Sequence, residues 1–219
     1  GNRAQGTRVF LCDMSDMFHE DVPFEFIAAI LGATACAQSS LFYLLTKRAD
    51  RAVEFNRWFQ GAEHAAMCLS RYWPSMIRPA VFERVKRATI GANIAFGVTC
   101  EDKKSGVPRL RLGRLFAARW HWVSVEPLLE DLGADVDFDG YDLVVCGGES
   151  GDGSRPFNAE WADNIKSASK KANAQFFMKQ LGDVSFDGDK PIRAGRKGNE
   201  LELMPERLRT RENIPMPAW

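Results

Sequence analysis

The chain has 219 residues and 24.6 kDa, a size for one medium domain that can bury roughly 70% of its unfolded surface. Lys+Arg and Asp+Glu both number 29, so the formal net charge is zero; broad electrostatic binding to nucleic acid has no support, and only a local basic patch is left open. No apolar run approaches the ~20 residues of a membrane span and no signal peptide opens the sequence, so a cytoplasmic protein is expected.

The first apolar run is 8–12, Arg-Val-Phe-Leu-Cys, and it ends in the acid-rich loop from Asp13 to Asp21. Pro23 can open a helix at its first turn, and Phe26, Ile27, Ile30 and Leu31 recur with helical spacing. The second run, 41–45, ends in Thr46-Lys47-Arg48. Val53, Phe55, Trp58 and Phe59 then fit a packed helical face. Residues 60–87 are the least legible and are broken at Trp73-Pro74, with Val81, Val85 and Ile90 suggesting a helix that feeds the next strand. The third run, 93–98, ends in Thr99-Cys100-Glu101-Asp102. Residues 103–119 are rich in Lys and Arg, with Leu110, Leu112, Leu115 and Phe116 as a partial apolar face.

The fourth run, 121–125, ends in Glu126-Pro127. The fifth, 143–146, sits inside the stretch Asp-Leu-Val-Val-Cys-Gly-Gly-Glu-Ser-Gly at 142–151. Four unbroken apolar residues suit a strand buried on both faces, and two glycines mark a sharp turn or a close approach. Residues 157–172 read as a helix with Trp161, Ile165 and Ala168 on one side. The sixth run, 175–178, ends in Lys179-Gln180. From Asp183 the tail is polar, glycine-rich and irregular, and its close, Met204-Pro205-Glu206 through Pro215-Met216-Pro217, reads as a segment laid over the surface. The expected division is a barrel domain at 1–182 and an irregular segment at 183–219 packed on it.

Strand-like runs alternating with helix-like stretches predict βα units and a parallel sheet. Six units fall short of the ~250 residues of a typical eight-unit barrel, so an α/β partial TIM-type barrel or an open sheet is expected. The five cysteines, Cys12, Cys36, Cys68, Cys100 and Cys146, are scattered with no Cys-x-x-Cys pair. That spacing excludes a disulfide framework and a local metal motif, and it predicts buried small hydrophobes.

Each run ends at once in polar residues, and in a parallel α/β fold those ends converge on one face. The set is Asp13, Ser15, Asp16 and His19; Thr46, Lys47 and Arg48; Thr99, Glu101 and Asp102; Ser124 and Glu126; Glu149 and Ser150; Lys179 and Gln180. Wet loops and helix caps account for the same residues, so both readings stand. As chemistry, acids beside bases suit a zwitterionic ligand: a carboxylate wants Lys47 or Lys179, and an ammonium wants Glu126 or Glu149. Gly147 and Gly148 would admit a flat or anionic group. No GxGxxG, GxxxxGK[ST] or Ser-His-Asp grouping is legible.

The blocks Met14-Ser15-Asp16-Met17-Phe18-His19-Glu20-Asp21-Val22-Pro23, Leu45-Thr46-Lys47-Arg48, Gly97-Val98-Thr99-Cys100-Glu101-Asp102, Ser124-Val125-Glu126-Pro127-Leu128-Leu129, Gly147-Gly148-Glu149-Ser150-Gly151 and Phe177-Met178-Lys179-Gln180-Leu181-Gly182 occur in this order. Together they resemble a bacteriophage and prophage family of radical-SAM-like proteins, over residues 8–182 and 204–211. The resemblance implies a partial TIM-type barrel in a bacterial host's cytoplasm, with S-adenosylmethionine as cofactor. It also implies a [4Fe–4S] iron–sulfur cluster held by a three-cysteine loop. None of the five cysteines forms that loop, so a trimmed chain or a member lacking the cluster is expected.

The leading expectation is a protein that binds S-adenosylmethionine or a similar nucleoside–amino acid and modifies nucleic acid or nucleotides. Asp16 and Glu126 are then the catalytic candidates, and Ser15, Thr46, Lys47, Glu101, Gly147, Gly148, Glu149, Ser150 and Lys179 the cofactor-binding ones, with no metal ligand. Two alternatives remain open. One is a non-catalytic interaction protein acting on a host protein. The other is a cluster-free hydrolase using Asp16 or Glu126 with a divalent metal.

Overall fold

The computed structural model describes residues 6–75 and 77–214. Pro215-Met216-Pro217 lies outside them. β1 (Arg8–Phe10) leads to α1 (Phe24–Ala35), and β2 (Leu41–Thr46) to α2 (Ala49–Trp58), α3 (Ala62–Tyr72) and α4 (Pro79–Lys86). β3 (Ile94–Thr99) leads to α5 (Gly106–Gly113), and β4 (Trp120–Val125) and β5 (Leu143–Gly147) follow. Next come β6 (Phe157–Asn158), α6 (Ala159–Lys171) and β7 (Gln175–Gln180). β8 (Ser185–Asp187), β9 (Lys190–Ile192) and three short 3-10 turns complete the described chain.

The main sheet has six parallel strands in the order β1-β2-β3-β4-β5-β7. Each new main-sheet strand joins beside the one before it, with no reversal. That is the winding of a barrel, whereas a doubly wound sheet reverses at a switch point. The fold is α/β and matches a partial TIM-type barrel, as the alternation predicts.

A second sheet, β6-β8-β9, was not legible. Residues 157–172 begin as a strand that pairs with β8 before the helix starts, and the segment expected to be irregular contains the β8–β9 hairpin. Gly188, at φ 57°, closes that hairpin with Asp189, a glycine turn of the kind hairpins use. Strands of two or three residues are too short to show an alternating pattern.

The described residues form two compact units, 6–97 with 115–120, and 98–114 with 121–214. In the first, Phe18 stands edge-on to Phe55, Phe96 and Phe116, with ring centroids 6.1, 5.8 and 5.6 Å away. Edge-to-face pairs add to area burial, so these rings anchor the core. The face of α1 that is buried includes Ala28, Ala29, Gly32 and Ala35 beside the expected Ile27 and Leu31. Small residues let α3 approach closely: a Cβ on Gly32 would lie 3.1 Å from the Ala65 carbonyl oxygen.

In the second unit, Leu143, Val144 and Cys146 are buried and α6 covers β5 and β7 with Ala162, Ile165 and Ala168. The side chain of Asn158 caps α6 by accepting from the Glu160 amide at 3.0 Å. Asp102 starts α5 by accepting from the Ser105 amide at 2.6 Å, and these hydrogen bonds lower its pKa. The helix in 103–119 covers only Gly106–Gly113, and Leu115, expected on its apolar face, is exposed. The free edge of β7 is covered by the chain's last described residues: Met178 N–H donates to the Thr210 carbonyl at 2.8 Å and Glu212 N–H to that of Phe176 at 3.0 Å. Cys68, Cys100 and Cys146 are buried as expected, while Cys12 and Cys36 are half-buried.

Candidate functional site

The two units each bring together part of the expected polar set. In the first, Asp16 is a clasp between loops. Its carboxylate accepts from the Phe18 amide at 2.9 Å, the Thr46 hydroxyl at 2.8 Å, the Lys47 amide at 3.1 Å and Arg48 Nη1 at 2.9 Å. Four donors on two oxygens fix the loop after β1 against the end of β2. They also engage the lone pairs that a base or metal ligand would use. Thr46 is buried, and Lys47 and Ser15 are exposed. Ser15 and Asp16 line an apolar cavity of about 350 Å3 with Cys12, His19, Phe26 and Ile30.

In the second unit, three successive strand ends each carry an acid with its own cation. Glu101, after β3, pairs with Arg109 of α5 at 2.6 Å, and Arg109 also donates to the Thr99 carbonyl and hydroxyl. Glu126, after β4, pairs with Lys179 of β7 at 2.9 Å. Glu149, after β5, takes a two-pronged contact from Arg155, Nε and Nη2 both at 2.7 Å, and accepts from the Arg155 amide at 3.0 Å.

The acid side chains open outward in chain order, from 8% exposed at Glu101 to 17% at Glu126 and 29% at Glu149. Lys179 and Arg155 are more than half exposed, whereas Arg109 is mostly covered. The Arg155 contacts hold the Glu149 carboxyl at about 2, far below the ordinary range. At neutral pH Glu149 is therefore a permanent carboxylate and not a proton acceptor.

Backbone hydrogen bonds knit these ends together. Leu128 N–H donates to the Gly147 carbonyl at 2.8 Å and Leu129 N–H to that of Glu101 at 3.1 Å, so the loop after Glu126 bridges its two neighbours. Gly147 leaves room for the Glu126 side chain: an added Cβ would lie 3.3 Å from Glu126 Cγ and Cδ. Gly148 leaves room for Leu181, whose carbonyl would collide with any Cβ there. Both glycines thus admit the protein's own atoms. Gln180 is buried and donates to the Gly148 carbonyl at 2.9 Å. Ser150 is half-buried beside Glu149.

Arg109 and Arg155 are the site residues that sequence reasoning missed. Arg155 follows Glu149 across a Gly-Asp-Gly-Ser loop that gives no period to read. Arg109 stands one helical turn inside α5, where it was one cation among many in 103–119.

The cluster that the resemblance implies finds no ligand set here. Among the described residues, no three His, Cys, Asp or Glu side chains are placed to share a metal ion. Burial pushes the Cys100 thiol up to about 12 and raises that of Cys146 as well, which disfavours the thiolate that iron requires. Among the described residues no helix is long and apolar enough to cross a membrane.

Fold and strand ends together define an α/β protein of partial TIM type with ion-paired acids at its strand carboxyl ends. The family described as Protein of unknown function (DUF5131) matches residues 2–207, and the chain belongs to that family. Searches among curated proteins and among solved structures each returned no match.

Proposed function

We propose that this protein binds S-adenosylmethionine, or a related nucleoside–amino acid, at the carboxyl ends of β3, β4 and β5 in its second unit. The observation that carries the reading is the row of three acid–base pairs, Glu101–Arg109, Glu126–Lys179 and Glu149–Arg155. A zwitterionic ligand replaces one such pairing by two of its own, at little net electrostatic cost. The exposed cations stand outermost, so the ligand's carboxylate meets Lys179 or Arg155. Glu126 and Glu149 take the ammonium or the ribose hydroxyls.

The ordered sequence blocks support a radical-SAM-like relation, a phage origin and nucleic acid or nucleotides as the substrate class. With no cluster ligands among the described residues, no radical step is assigned to these side chains. Calorimetry with S-adenosylmethionine, methionine and adenosine tests the reading. Saturable heat is expected for the whole cofactor, with Lys179→Met weakening it about tenfold, the weight of one charged hydrogen bond. A titration with no heat opposes it.

A second reading is favoured by the same pairs. Each acid already holds its own cation, as in a surface built for rigidity, which suits a non-catalytic protein that acts on a partner by contact. Recovery of S-adenosylmethionine heat at a one-to-one ratio separates the two.

A further inference from the structure

We propose that the second unit also carries a cleft for a phosphate group, independent of the S-adenosylmethionine reading. The cleft has a volume of about 520 Å3, and its walls include Asp152, Gly153, Ser154, Asp183, Arg196 and Lys197.

The cations of the cleft come from one short stretch of the chain. Residues 190–199 hold Lys190, Arg193, Arg196 and Lys197 with no Asp or Glu. Arg196 and Lys197 line the cleft, and Lys190 and Arg193 lie outside the walls named for it. Arg193, Arg196 and Lys197 are exposed, and none makes an ion pair among the described residues.

One of the two carboxylates in the cleft is already engaged. Asp183 accepts from the Gly151 amide at 2.6 Å and the Lys197 amide at 3.0 Å, one on each oxygen. Asp152 is exposed and makes no such contact among the described residues. Two cations, Arg196 and Lys197, therefore face one engaged carboxylate and one free one.

The backbone holds the turn at Lys197 in place at a cost. Lys197 has φ 62°, in the left-handed region that a lysine rarely adopts, between Gly195 at 73° and Gly198 at 64°. Asp183 fixes that turn through the Lys197 amide, and the Lys197 carbonyl accepts from Gly182 N–H at 3.1 Å. Across the cleft, the amides of Asp152 and Gly153 have no acceptor among the described residues. An arginine fork, a lysine point charge and spare amides suit the tetrahedrally spread oxygens of a phosphate group. A planar carboxylate spreads its two oxygens less widely. The group comes from a small free phosphate compound or from a nucleic-acid backbone, and the two are told apart by experiment.

The full chain is titrated at low salt with inorganic pyrophosphate, with a short single-stranded oligonucleotide and with malonate. The same titrations are run on R196Q/K197N, in which asparagine tolerates the left-handed backbone. Saturable binding of pyrophosphate or the oligonucleotide is expected, weakened about tenfold or more in the double variant at an unchanged melting temperature. Binding of pyrophosphate assigns a small free phosphate compound, and binding of the oligonucleotide alone assigns the polymer backbone. Should the double variant melt early, R196Q alone gives the reading, since Arg196 is exposed and outside the left-handed positions. No saturable binding of either phosphate compound, equal binding of malonate, or binding that the variants leave unchanged would overturn the proposal.

Discussion

At the scale of single residues, the site is governed by which groups are free to act. Glu149 is held at about 2 by Arg155, against an ordinary value of 4.5. A folded value below the unfolded one means that the unfolded chain takes up the proton first. The pair therefore stabilises the fold above about pH 4.5, and that contribution fades as the pH falls toward 2. Arg155→Gln should accordingly lose less melting temperature than the parent across that window. Parallel melting curves for the two proteins would show that the pair adds nothing.

Gly148 gives a second residue-level test. Its missing side chain leaves the space that the Leu181 carbonyl fills, and backbone cannot yield as a flexible side chain can. Gly148→Ala should cost about 1–3 kcal/mol in denaturant unfolding, the range of overpacked sites. The glycine pair was legible as a place of close approach. What approaches was not, because the partner lies some thirty residues along the chain.

At the scale of elements, two devices hold the strand ends in register. Asn158 caps α6, and Asn158→Ala should cost about 1 kcal/mol, read by urea unfolding. The segment around Thr210 and Glu212 covers the edge of β7, on which Lys179 stands. Glu212 holds it twice, through its own amide on the Phe176 carbonyl and through its carboxylate, which accepts from the Phe176 amide at 2.7 Å. Removing the chain after Arg209 should speed amide exchange at Phe176 and Met178 and promote self-association through the open edge. Unchanged exchange at both amides would show that the edge is protected otherwise. The six main strands were legible because each is a run of apolar residues ended by polar ones. The strap and the β6-β8-β9 sheet were not, because short strands carry no period and a single bridge leaves no pattern.

At the scale of the molecule, the sequential strand order makes this a barrel-type α/β protein, and its family membership covers residues 2–207. The six main strands fall where the apolar runs predict, although Lys179 and Gln180, expected after the last of them, lie within β7. The pairing of the polar residues was not readable: Asp16 is spent on its own loops, and Glu101 and Glu149 are each met by an arginine that the pattern did not single out. Of the three acid–base pairs that carry the functional claim, Glu126 and Lys179 are the one whose acid is mostly covered and whose cation is more than half exposed, beside no second cation of its own among the described residues. Calorimetric titration of S-adenosylmethionine into the parent and into Glu126→Gln tests it most directly. The account predicts saturable one-to-one binding that weakens about tenfold in the variant at an unchanged melting temperature. Absence of binding to the parent, or equal affinity in the two proteins, would contradict it.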